Sequence, residues 1–226
     1  MKTVILCGGE GTRLRELTES IPKALVDVGG KPILWHIMRF YSAQGFHDFI
    51  LCLGYKKDMI IDYFKNNPEP SMNIEFVDTG EKVTKSERLK KIRPLMEGDN
   101  FLLAYGDDLS NVDINKVIEF HNEKNKIVTI TTVNPRSDFG VIELDKENNI
   151  TGFIEKPKIK NTWINGGFAV LNTKIFDYLN DGELEDEVYK KLADEKNICA
   201  YKHNGFWMGM NTFKDQVELS NLWNSG

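Results

Sequence analysis

Residues 3–14 read Thr3-Val4-Ile5-Leu6-Cys7-Gly8-Gly9-Glu10-Gly11-Thr12-Arg13-Leu14, and no other stretch of the chain restricts its fold as strongly. The opening run is apolar or β-favouring without interruption. It predicts a strand buried on both faces, as in a parallel sheet covered by helices. The run then breaks into three glycines within four positions. Glycine reaches backbone conformations barred to other residues and lets the main chain approach a ligand closely. Successive free N–H groups make an anion-binding concavity, and the planar guanidinium of Arg13 suits phosphate. Ile21-Pro22-Lys23-Ala24-Leu25 places a second cation after a proline turn.

Two familiar phosphate loops do not fit. A P-loop needs Lys-Ser or Lys-Thr after its glycines, and neither follows here. The dinucleotide fingerprint needs a third glycine where Arg13 and Leu14 stand, and an unbroken helix where Pro22 falls.

Further along, strands are predicted at 48–53, 73–77, 101–105, 127–133, 163–171 and 197–203. Helices are predicted at 32–44, 57–64, 114–123 and 184–193, and a last one capped by Asn211 or Thr212 runs to Trp223. Apolar strands alternating with helices mean βαβ units: an α/β protein with a Rossmann-like, mostly parallel sheet flanked by helices. After Pro135 the pattern changes. Residues 140–145 and 150–155 flank an Asn-rich turn and predict a β-hairpin, a small antiparallel annex to the sheet. No repeat, low-complexity tract or linker divides the chain, so one domain over 1–226 is expected.

The net charge of −5, with acids and bases interspersed, argues against a nucleic-acid partner. No apolar run is long enough to span a membrane and no secretory h-region is present, which predicts a cytoplasmic protein without membrane contact. Cys7, Cys52 and Cys199 are widely spaced and set in strand-like runs, so they are expected to be reduced. His36 and His121 fall within amphipathic helices and are expected to be structural.

Four later stretches carry chemistry. Leu103-Ala104-Tyr105-Gly106-Asp107-Asp108 puts carboxylates at the end of a buried strand, where open α/β sheets bind ligands. Phe153-Ile154-Glu155-Lys156-Pro157 ends a hairpin strand with an acid–base pair. Trp163-Ile164-Asn165-Gly166-Gly167-Phe168 breaks its strand with two glycines, which close approach of a ligand explains. Gly205 to Thr212 leads into the last helix, whose N-terminus favours an anion. Each is weak alone, and their order is specific. With the first loop, Pro22-Lys23-Ala24-Leu25, Gly29 to Met38, Phe76 to Gly80 and Arg88 to Ile92, the chain resembles the sugar-1-phosphate nucleotidyltransferases over nearly its whole length. The Ile33-Leu34-Trp35-His36-Ile37-Met38 run points to the cytidylyl branch of that family.

The resemblance implies transfer of CMP from CTP to a phosphorylated small molecule with release of pyrophosphate, in surface-polysaccharide precursor synthesis. The acceptor it favours is a sugar 1-phosphate such as glucose 1-phosphate. A non-sugar phosphate such as phosphorylated glutamine, or a nucleotide-binding relative without turnover, remains open. By residue matching, Arg13, Lys23 and Asp107 are catalytic. Leu6, Gly8, Gly9, Gly11, Thr12, Arg13, Lys23, Thr79, Arg88, Tyr105 and Gly106 contact the nucleotide. Glu155, Lys156, Asn165 and Gly167 contact the acceptor. Asp107 holds Mg²⁺, with Asn211 or Asp108 as the second ligand. Residues 1–134 would bind nucleotide and 135–226 the acceptor, in a homo-oligomer. Two departures stand out. The family usually has Met-Asp-Thr where this chain has Met210-Asn211-Thr212. The glucose 1-phosphate enzymes of the branch carry a long insertion where only residues 65–72 intervene here.

Overall fold

In the computed structural model, seven strands form the central sheet in the order β12-β8-β11-β6-β1-β4-β5. These are β1 (Thr3–Leu6), β4 (Asp48–Leu53), β5 (Asn73–Asp78), β6 (Asn100–Tyr105), β8 (Val128–Val133), β11 (Ile164–Asn172) and β12 (Ile198–His203). Short two-stranded pieces complete the β-structure: β2 (Asp27–Val28) with β3 (Lys31–Pro32), β7 (Asp108–Ser110) with β13 (Trp207–Gly209), and β9 (Val141–Leu144) with β10 (Ile150–Ile154). The helices are α1 (Arg15–Thr18), α2 (Ile33–Ser42), α3 (Lys57–Asn66), α4 (Lys85–Ile92), α5 (Ile114–Lys124), α6 (Lys190–Asp194) and α7 (Phe213–Asn224). The structure describes residues 1–226 apart from Asp138 and the side chains of Arg13, Arg15 and Glu16. The roles expected of the Arg13 side chain therefore lie outside the described residues.

Every neighbouring pair in the large sheet is parallel except those of β11, which runs antiparallel to both β6 and β8. From the central β1 the chain builds outward through β4 and β5, then returns to the other side of β1 with β6. That reversal opens a crevice beyond the carboxyl ends of β1 and β6, where doubly wound sheets place ligands.

Alternation along each strand divides the core between the two faces. Ile5, Leu51, Leu53, Leu102, Ala104, Phe168 and Val170 pack under α2, α3, α5 and α7, against Ile37, Tyr41, Ile60, Phe64, Val117 and Leu219. Val4, Ile50, Cys52, Phe101, Leu103 and Leu171 face the opposite way and pack on Leu89 and Ile92 of α4 and on Leu184, Val188 and Leu192. Cys7, Cys52 and Cys199 are free thiols.

Four expectations need correction or refinement. Helix α4 was not foreseen, although Thr84 and Glu87 form a full capping box at its start. The stretch over 184–193 opens as a π-helix, Leu184–Tyr189, before continuing as α6. Strand β11 is not broken at Gly166-Gly167; it continues past them with a register shift against β8 between Asn165 and Ala169. The β9–β10 hairpin is a sheet of its own, and Ile142, Leu144, Ile150, Phe153 and Ile154 stay exposed on it.

Both histidines assigned to structure are buried. His36 Nε2 lies 2.7 Å from the Val28 carbonyl and its ring meets Trp223 edge-on, while His121 Nδ1 lies 2.8 Å from Thr129 Oγ1. Burial pulls both imidazoles below the ordinary value of 6.5. The folded state thus holds them neutral where the unfolded chain would protonate them. Stability from this source is full above pH 6.5 and is lost as pH falls below it. Urea titrations between pH 5 and 8 should show that fall, and His121→Gln should flatten it; an unchanged pH slope in the variant would contradict the assignment.

Candidate active site

The crevice at the β1–β6 switch is a cleft of about 400 Å³, lined by the glycine loop, Lys23, the start of α4 and the end of β6. The loop leaves β1 at Cys7 and turns back on itself at Gly11, whose φ of +66° suits glycine. A side chain there would also meet Lys23 Cβ at 3.0 Å, so the glycine lets Lys23 close over the loop. Pro22, extended at φ −67° and ψ 148°, starts the short 3₁₀ turn Lys23–Leu25 that aims this lysine into the cleft.

Lys23 Nζ bonds Asp107 Oδ2 at 2.6 Å, and both side chains are largely buried. The pair joins the glycine-loop side of the cleft to the end of β6. A cation and a carboxylate in such contact interact more strongly than in bulk water, because the surroundings are less polarisable.

Arg88 forms the back wall. Its guanidinium is buried and donates to the carbonyls of Gly8 (3.1 Å), Leu53 (3.3 Å), Gly80 (2.7 Å) and Glu81 (2.9 Å), and to Thr79 Oγ1 at 2.7 Å. One side chain therefore ties the glycine loop to the loops after β4 and β5. None of these bonds reaches a carboxylate, so a buried positive charge stands behind the glycine loop. Burial lowers its pKa, and it stays far above neutrality. Burial also pushes the Cys7 thiol up, and that of Cys52 to about 12, so neither supplies a thiolate.

Leu6, Gly8, Gly9, Gly11, Thr12, Lys23, Arg88, Tyr105, Gly106 and Asp107 thus meet on one cleft. Thr79 does not reach the lining. It is fully buried, and its hydroxyl donates to the Leu53 carbonyl at 2.6 Å. The acceptor-side residues are more dispersed. Asn165 touches the cleft wall through Tyr105, its Nδ2 donating to the phenol oxygen at 3.3 Å. Gly167, at φ +78°, lies so close to the Asp108 carboxylate that a side chain would collide with it. Glu155 and Lys156 are exposed at the exit of the hairpin, away from the lining. Trp207 is half-buried, its Nε1 donating to the Gly166 carbonyl at 2.8 Å. Val83, Thr84, Lys85 and Glu183 line the cleft although sequence reading did not single them out. The capping box at Thr84 was the signal for three of them.

The oxygen donors near Asp107 suit a hard divalent cation. Among the described residues no three His, Cys, Asp or Glu side chains converge on a point. Mg²⁺ is commonly held by one or two protein oxygens together with substrate phosphates. Asp107 offers one carboxylate. Asn211 Oδ1 is buried without a hydrogen-bond partner, a costly state for an acceptor. The backbones of the two lie side by side, since Met210 N–H donates to the Asp107 carbonyl at 2.8 Å. Asp108 packs beside Gly167 and Gly209 and is not on the lining.

Comparison with known proteins agrees with this architecture. Residues 2–225 match the family described as nucleotidyl transferase. The glucose-1-phosphate cytidylyltransferase of Salmonella typhimurium is 40% identical over 251 aligned positions, covering 100% of this chain and 97% of that protein. A Bacillus subtilis protein named as a probable glucose-1-phosphate cytidylyltransferase is 39% identical over 250 positions, with the same coverage. Among solved structures, HddC from Yersinia pseudotuberculosis complexed with GMP-PN superposes with a TM-score of 0.76 at 26% identity, over 98% of this chain and 99% of that one.

Proposed function

Because the chain belongs to the nucleotidyl transferase family, we propose that it transfers CMP from CTP to a sugar 1-phosphate, best glucose 1-phosphate, and releases pyrophosphate. The observation that carries this reading is the Lys23–Asp107 pair at 2.6 Å beside the glycine loop, at the β1–β6 crevice. The chemistry is in-line displacement. A phosphate oxygen of the acceptor forms a bond to the α-phosphorus of CTP, and the bond from that phosphorus to the bridging oxygen of the β-phosphate breaks. The attacking oxygen is already anionic, so no general base is needed. Catalysis is positioning and charge stabilisation.

The free N–H groups of the glycine loop hold the triphosphate, with the buried charge of Arg88 behind them. Lys23 donates to oxygens that gain charge in the transition state. Asp107 and Asn211 would hold Mg²⁺, which when bound neutralises phosphate charge. Residues 1–134 form the nucleotide half; Lys156, Glu155, Asn165 and Gly167 in 135–226 serve the acceptor. The exposed apolar hairpin supports association into a homo-oligomer, and the free cysteines support a cytoplasmic setting.

Pyrophosphate release from CTP tests the reading, with glucose 1-phosphate, other sugar 1-phosphates and phosphorylated glutamine as acceptors. Turnover is expected with a sugar 1-phosphate. Turnover with phosphorylated glutamine alone would move the acceptor class, and binding of CTP without any turnover would identify a non-catalytic relative. Thermal-shift titration should rank CTP above dTTP, UTP, ATP and GTP.

The amide at Asn211 has its own consequence. A neutral oxygen attracts a hard cation less than a carboxylate does. Asn211→Asp is expected to lower the Mg²⁺ concentration giving half-maximal rate by several-fold. An unchanged Mg²⁺ curve would place residue 211 outside the metal site.

A further inference from the structure

Glu185 lies on the π-helical turn Leu184–Tyr189, outside the cleft lining, yet two lining residues converge on it. The Tyr105 hydroxyl donates to Glu185 Oε1 at 2.5 Å, and the Lys85 ammonium pairs with the same oxygen. The Lys85 Nζ also stands 4.5 Å from the centroid of the Tyr105 ring. Partial burial pushes the Glu185 carboxyl up, but the bonds from Lys85 and Tyr105 outweigh it and hold the group below the ordinary range.

The direction of each hydrogen bond follows from these partners. An ionised carboxylate only accepts, so the single Tyr105 proton goes to Glu185. The phenol oxygen is then left to accept, and Asn165 Nδ2 donates to it at 3.3 Å, with the buried Tyr189 hydroxyl as its other neighbour. Asn165 Oδ1 is committed elsewhere, accepting from Gly167 N–H at 2.9 Å. The amide therefore has one orientation, with its second N–H uncommitted among the described hydrogen bonds.

We propose that Glu185 is a positioning residue for the phosphorylated acceptor, fixing the Asn165 amide through Tyr105 so that Asn165 presents an N–H donor to an acceptor oxygen. The assignment rests on the proposed function, in which Asn165 faces the acceptor. Without the carboxylate the phenol proton can turn toward Asn165, and the amide loses its reason to keep one orientation.

A double-mutant cycle tests this, using the full chain with CTP and the acceptor it turns over best. Glu185→Gln is expected to raise the acceptor KM about tenfold, the scale of one well-placed hydrogen bond. The CTP KM should move less than twofold. Tyr105→Phe should raise the acceptor KM comparably, and adding Glu185→Gln to it should cost little more, since the relay is already cut. Additive effects, or an acceptor KM that neither change moves, would overturn the proposal. A readout independent of turnover separates it from the broader reading. The side-chain ¹⁵N–¹H pair of Asn165 should exchange slowly with solvent in the wild type and faster in Glu185→Gln. Equal exchange rates would sink the relay even if transfer is observed. Protected amide hydrogens with no cytidylyl transfer to any acceptor would instead refute the functional reading and leave the relay standing.

Discussion

Replacing Lys23 with alanine is expected to lower kcat by about 10²–10³-fold, the loss seen when one preorganised electrostatic donor is removed from an active site. The expectation comes from where the lysine sits. Its ammonium is largely buried, pinned at 2.6 Å to Asp107, and the Pro22 turn with Gly11 leaves it little freedom to be elsewhere. A cation held there needs no reorganisation when negative charge builds on a phosphate. CTP affinity should fall far less than turnover, because the glycine loop and the charge of Arg88 remain. Calorimetry with CTP beside steady-state kinetics decides the matter. Equal losses in binding and in kcat/KM would mean that Lys23 contributes uniform binding rather than transition-state stabilisation. Asp107→Asn should likewise remove turnover, and it would leave Lys23 without its anionic partner.

Arg88→Met is expected to do a different kind of damage. The guanidinium satisfies four carbonyls and one hydroxyl from three separate segments of the chain, and methionine satisfies none. Each buried acceptor left alone costs about 1–3 kcal/mol before relaxation. Removing a buried cation recovers part of that, so a net loss of about 3 kcal/mol is expected. For a chain of this size, that lowers Tm by roughly 6–12 °C. CTP binding should weaken as well, since the Gly8 carbonyl loses its anchor and the charge behind the loop disappears. Arg88→Lys should rescue little: an ammonium has three donors and cannot span five acceptors in a planar fork. A Tm within 2 °C of wild type for both variants would show that the wall does not depend on this residue.

The sheet and the first half of the site were legible in sequence for a shared reason. Buried strands such as Asp48–Leu53 and Asn100–Tyr105 are continuous apolar runs, and the motifs sit at their carboxyl ends, so finding the strand locates the residue. Lys23 and Asp107 are 84 positions apart, and only the adjacency of β1 and β6 brings them together. What escaped was amphipathic or polar. Helix α4 carries one glutamate, three lysines and Arg88 around Leu89 and Ile92, and its capping box was its clearest signal. Arg88 was matched to the nucleotide by resemblance, but its burial and the carbonyls it ties together follow only from tertiary packing. Glu185 is one of several acidic residues between 181 and 187, and no local pattern separates it from Asp186.

The pairing of β7 with β13 also dictates when the site can come into being. Asp108–Ser110 finds its strand partner only in Trp207–Gly209, about a hundred residues later in synthesis. Helix α7 then clasps the first half of the chain, Ser220 Oγ accepting from Gly29 N–H at 3.2 Å and Gln216 Nε2 donating to the Asp27 carbonyl at 2.7 Å. On the ribosome, the glycine loop and the core strands β1, β4, β5 and β6 can emerge and pair early. The segment that follows Asp107 stays half-paired until residues 207–224 clear the exit tunnel. A nascent chain stalled before Trp207 would carry the glycine loop without the finished edge beside Asp107, which under the proposed function separates the onset of nucleotide binding from the onset of turnover.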